Sequence, residues 1–126
     1  MTGARVPAGL VTQSGSVTCE VASNGGFVLV RLPLLVDDHD ADVTVVSHYR
    51  LDGFLGREVE WPLTPGMETT LTMRVPAEQF RDGEILHLEV RSADGSSTSR
   101  PVWSGRYVIV WDGSTPGLEP VEAPLR

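Results

Sequence analysis

Apolar and polar residues alternate in several short stretches of this chain, and a period of two predicts strands with one buried and one wet face. The clearest stretch lies toward the C-terminus. In Glu84–Ser92, Leu86, Leu88 and Val90 alternate with His87, Glu89 and Arg91. Ala93–Ser99 then supplies the Asp, Gly, Ser and Thr that turns select. Tyr107–Trp111 is apolar at nearly every position, the pattern of a strand covered on both faces. Glu84–Trp111 therefore predicts a hairpin-like unit on which the other apolar runs must pack. Upstream, Val17, Cys19 and Val21 share one parity and face inward. Ser23-Asn24-Gly25-Gly26 is a tight-turn signal, and Phe27–Leu32 returns as a more deeply buried strand. Pro33 caps that strand or marks a bulge. Val43–Leu51 resumes the alternation, with Val43, Val45, Tyr49 and Leu51 on one side. Arg57–Trp61 is a short strand stopped by Pro62. Glu68–Val75 points Leu71, Met73 and Val75 inward, and Ala77–Phe80 has room for one helical turn that is too short to stand alone.

This makes about seven antiparallel strands with turn signals between them and essentially no helix, which predicts an all-β sandwich. The 126 residues suit one domain with a real core. The sandwich is expected over residues 16–113. Residues 1–15, with Gly3, Pro7, Gly9 and Gly15, read as an extended N-terminal arm. Residues 114–126, with Pro116, Pro120 and Pro124, read as an extended Pro-rich C-terminal tail.

Leu71–Val75, a Pro-led connection, Glu84–Ser92 and the loop Ala93-Asp94-Gly95-Ser96-Ser97 resemble the second half of a fibronectin type III or related immunoglobulin-like module. The resemblance covers roughly residues 71–111. The first half departs from it, because Phe27–Leu32 has no tryptophan where such modules usually carry one. The connection before Glu84 also lacks the usual tyrosine; Phe80 is the nearest aromatic and cannot donate the corner hydrogen bond. The resemblance implies an immunoglobulin-like sandwich, a fold that is mostly a scaffold for binding loops, and implies little about function.

Charge narrows the partners. Ten Arg and no Lys stand against seventeen carboxylates, for a net charge of −7. Such a surface repels phosphate backbones, and the arginines are dispersed along the chain, so nucleic acid is not an expected partner. No apolar run approaches the roughly 20 residues of a membrane helix, so no membrane partner is expected either. Met1–Gly15 lacks the continuous apolar core of a secretory signal. The expectation is cytoplasmic synthesis. Cys19 stands alone and cannot form an intramolecular disulfide; it is expected as a small buried apolar side chain.

Candidate chemistry is sparse. Asp38, Asp40 and Asp42 sit at i, i+2 and i+4, a spacing that offers several oxygens to a hard cation. The calcium-loop pattern then fails, with Val43 in place of the glycine and Tyr49 in place of the final bidentate Glu, so a solvated acidic loop is expected and no metal. His39, His48 and His87 could ligate a transition metal, but nothing in the sequence brings them together, and His48 and His87 lie on the polar parity of their strands. Ser14-Gly15-Ser16 and Trp103-Ser104-Gly105 are not a nucleophile elbow. Glu58 and Glu60 share the face of a short strand, which reads as a charged edge. Trp61, Trp103 and Trp111 could stack on a sugar ring, against the reading that they fill the core or its ends. Phe54-Leu55, between Gly53 and Gly56, is the feature that most suggests a contact: a loop tip with two large apolar side chains either folds back or inserts into a partner.

These readings favour a non-enzymatic structural or interaction module without a cofactor. It would work by surface and arm contacts in a larger assembly, with Phe54 and Leu55 meeting a protein partner or a second copy. A virion accessory or decoration protein, of capsid or tail, is the concrete case, and its localisation would then be the virion. The alternative is a carbohydrate-binding or calcium-dependent ligand-binding module; a small-molecule ligand is otherwise not expected.

Overall fold

Residues 11–36, 43–51, 54–93 and 101–121 are described in the structure, a computed structural model. In chain order the strands are β1 (Val11–Gln13), β2 (Thr18–Val21), β3 (Phe27–Val36), β4 (Val43–Leu51), β5 (Phe54–Leu55), β6 (Val59–Leu63), β7 (Glu68–Pro76), β8 (Ile85–Ser92), β9 (Trp103–Asp112) and β10 (Thr115–Pro120). A single 3-10 turn, Ala77–Gln79, follows β7. The fold is an all-β sandwich of two antiparallel sheets. In the smaller sheet β3 is central, with β7 on one side and β1 and β2 sharing the other. The larger sheet runs β10-β9-β8-β4, and β5 and β6 both pair with the far edge of β4.

The alternation explains the core. In β3, Val28, Val30, Leu32, Leu34 and Val36 all point inward and are buried. They face Leu86, Leu88 and Val90 of β8, Val45, Tyr49 and Leu51 of β4, and Ile109 of β9. Each such side chain taken fully out of water stabilises by about 1.5–3 kcal/mol. The hairpin expected at the C-terminal stretch is present, with Ile85 opposite Val108 and Val90 opposite Trp103. The β2–β3 hairpin is present too. Its turn is closed by the Ala22 N–H donating to Phe27 O at 2.8 Å, with Gly25 at φ 77°.

Several expectations need correction. Thr115–Pro120 is not an extended tail. It pairs with β9 along its whole length and packs against β2, closing that side of the sandwich. Val11–Gln13, placed in the N-terminal arm, is a strand paired with the end of β3. The strands among the described residues exceed the seven expected, because β1, β5 and β10 are short or lie in the supposed arms and loop. Val21 does not point into the core; it is exposed at the turn end of β2. The outer face of β9 is only half covered, so Val108 and Val110 are partly exposed rather than buried on both faces.

The prolines also sit differently. Pro33 lies inside β3, opposite Thr70 of β7. Its carbonyl accepts from the Ser14 N–H at 3.0 Å, so that side of the residue faces the break between β2 and β1. An antiparallel residue points its N–H and C=O the same way, and the missing donor thus falls where no ladder partner is required. Pro62 does not stop a strand either. It lies within β6, which pairs with β4 on one side, and an edge strand tolerates proline.

Candidate functional site

The two sides of the sandwich differ. One is closed by β10 against β2. On the other, β7 meets β4, β5 and β6 without pairing, and a groove of about 510 Å³ opens between them. Tyr49, Phe54, Val59 and Trp61 line it from the larger sheet; Phe27, Met73, Arg74 and Pro76 line it from the smaller. Two guanidinium groups, Arg57 and Arg74, border this mostly apolar surface.

Strand parity positions each ring. Tyr49 is on the inward face of β4 and is nearly buried. Its hydroxyl donates to Arg74 O at 3.0 Å, a direct link between the sheets at the groove floor. Burial raises the Tyr49 pKa above its ordinary value, so the phenol stays a donor. Phe54 lies 6.1 Å from Tyr49 between ring centroids, tilted by 30°. Trp61 is half-buried, and its indole Nε1–H donates to Ser47 Oγ at 2.8 Å, which fixes the ring and satisfies a hydroxyl that is otherwise fully buried. Arg74 lies over the Phe27 ring at 4.3 Å, a cation–π contact that orients its guanidinium.

The predicted tip divides in two. Phe54 turns inward onto Tyr49 and the core, whereas Leu55 stands out at 66% exposure. Gly56 has a steric role. A Cβ at that position would overlap the Tyr49 ring, and the Gly56 N–H donates to Tyr49 O at 2.8 Å. The glycine lets the chain lie flat against the ring.

The tryptophans separate. Trp61 belongs to the groove. Trp103 packs on the core at the loop end of β9. Trp111 ties the corner after β7: its Nε1–H donates to Phe80 O at 2.7 Å, its backbone N–H donates to Asp82 Oδ1 at 2.8 Å, and its ring meets Phe80 edge-on at 6.2 Å. Phe80 is buried. Trp111 of β9 thus ties down the connection after β7, a pairing that no local pattern could reveal.

Cys19 is partly buried and packs at the margin of the core, and burial pushes its thiol up to about 11. Ser14 Oγ donates to Glu68 Oε2 at 2.6 Å on the surface, joining the strands on either side of β3. Glu60 is exposed on edge strand β6. Asp38, Asp40, Asp42 and His39 lie outside the described residues. Among the described residues no group of three or more His, Cys, Asp or Glu is arranged to hold a metal, and no helix is long and apolar enough to cross a membrane. His48 and His87, which the sequence left apart, come together on the outer face of the larger sheet, on adjacent strands.

No family model, curated protein or solved structure matches this chain.

Proposed function

We propose that the protein is a non-enzymatic interaction module that docks a protein partner in the groove between β7 and β5–β6. The observation that carries this reading is the grouping of Tyr49, Phe54 and Trp61 on the unpaired side of the sandwich, with Arg57 and Arg74 at the border and Leu55 exposed on the other face of β5. Aromatic side chains with ordered arginines are the groups that dominate protein contacts. The partner's chemistry follows from complementarity: an apolar anchor to meet the rings, flanked by carboxylates to meet the two guanidinium groups. An accessory protein of a virion capsid or tail is the concrete setting that suits a small all-β module of this kind. The immunoglobulin-like reading is supported by the strand order, with β2, β3 and β7 in one sheet and β4, β8 and β9 consecutive in the other.

A second reading has one observation in its favour: two rings, Phe54 and Trp61, line one groove of about 510 Å³, and flat aromatic surfaces stack on sugar rings. The two are separated by selecting random peptides displayed on phage against the intact protein, in parallel with a glycan array. The docking reading expects convergence on apolar–acidic peptides whose binding falls at least about tenfold in Trp61→Ala and in Arg57→Glu. Glycan binding with a Trp fluorescence change, and no peptide convergence, would replace it with the carbohydrate reading.

A further inference from the structure

The outer face of the larger sheet carries a second arrangement, on the side of β4 opposite the groove's rings. Arg50 of β4 is directly opposite His87 of β8, and His87 is directly opposite Arg106 of β9. Directly opposed residues share a face with Cβ atoms about 5 Å apart, so a proton on His87 sets three positive groups in one row, and like charges so placed oppose folding. A chain with seventeen carboxylates could have neutralised this row, yet its acid stands one row away. There Glu89 is already engaged, with Oε1 3.1 Å from Arg91 Nη2 and 3.6 Å from His48 Nε2. The ion pairs among the described residues join Glu20 to Arg31, Glu84 to Arg81, and Glu89 to His48 and Arg91; none uses Arg50 or Arg106.

The row lines a concavity of about 600 Å³, with His48, Ser104 and Val121 among its walls. His48 Nδ1 is buried with no hydrogen-bond partner. His87 is held below its ordinary pKa, first by burial, then by Arg50 and Arg106, with Glu89 acting in the opposite direction. On the far side of the row, Ile85 and Val108 are apolar, and Glu119 of β10 faces Val108.

We propose that Arg50, His87 and Arg106 form a binding site for a compact oxyanion, the phosphate or sulfate group of a small ligand. Guanidinium forks match the tetrahedral oxygens of such a group, and the exposed Ser104 hydroxyl adds a donor beside them. A bound dianion offsets the repulsion within the row and draws a proton onto His87. The site takes one oxyanion group rather than a polyanionic track, because Glu89 and Glu119 stand in the rows on either side. This departs from the expectation that no small ligand is bound, and the row shares no lining residue with the groove.

Binding is linked to His87 protonation, so affinity should rise as pH falls through the lowered His87 pKa, with Arg50, Arg106, His48, Glu89 and Glu119 as the surrounding charges. The test is an NMR titration of the intact protein with sodium sulfate, which stays dianionic, and in parallel with inorganic phosphate, at constant ionic strength set with chloride. Saturable shifts at the His87 ring are expected. They should be about threefold or more tighter near pH 5.5 than near pH 7.5, with the His87 pKa raised by sulfate. They should be lost in Arg50→Gln and Arg106→Gln and kept in Arg81→Gln. Both glutamine variants replace exposed side chains and relieve repulsion, so their Tm should be unchanged or higher. Linear, non-saturating shifts, or saturable shifts that survive both glutamine variants, would overturn the proposal.

Discussion

Gly56 shows how much one residue without a side chain can decide. It is not among the described glycines with positive φ, so its requirement is space against the Tyr49 ring rather than backbone freedom. Gly56→Ala should lower stability by about 1–3 kcal/mol, the usual cost of forcing atoms into a packed site, read as a shift of the denaturation midpoint. Leu55→Ser, one residue away and facing solvent, should stay within about 0.5 kcal/mol. Tyr49→Phe keeps the ring and deletes the hydroxyl that joins the sheets, so it should cost about 1 kcal/mol. Cys19 tests a different property. With its thiol at about 11, roughly a thousandth is thiolate near pH 8. A thiol reagent should therefore label the native protein far more slowly than the denatured chain, although the side chain is only partly buried. Native labelling as fast as that of the denatured chain would refute the raised pKa.

At the level of elements, the pattern of alternation located the long strands because their environment is asymmetric: one face sees the core and the other sees water. Val43, Val45, Tyr49 and Leu51 could be placed from parity alone, and they are buried as expected. What parity could not locate were elements held by their neighbours. β10 has two prolines and a glycine in six residues, yet it pairs fully with β9 and packs on β2, with Pro116 buried. Pro33 and Pro62 read as strand ends but fall where a missing donor has no ladder partner to disappoint. In the groove, Trp61 and Phe54 were each visible as candidates, but their meeting depends on the β4–β6 and β4–β5 registers. The row from Arg50 to Arg106 likewise exists only through register across three strands. Deleting residues 115–126 should consequently lower Tm by several degrees or more and expose the edge of β9. An unchanged Tm would mean that β10 is an appendage.

Over the whole molecule, the sandwich is sealed on one side by β10 against β2 and split on the other by an aromatic groove. Net charge of −7 keeps copies apart, while Arg57 and Arg74 place two positive groups at the split side. A directional contact is therefore expected: partners approach the open side, and added salt weakens that approach by screening the two guanidinium groups. The most direct measurement is hydrogen–deuterium exchange of the intact protein with and without a peptide selected on it. Binding should slow exchange in residues 54–61 and 72–76, the two banks of the groove, and leave 18–21 and 115–120 unchanged. Protection confined to the sealed side, or to the outer face of β8 and β9, would contradict the assignment of the groove as the docking site.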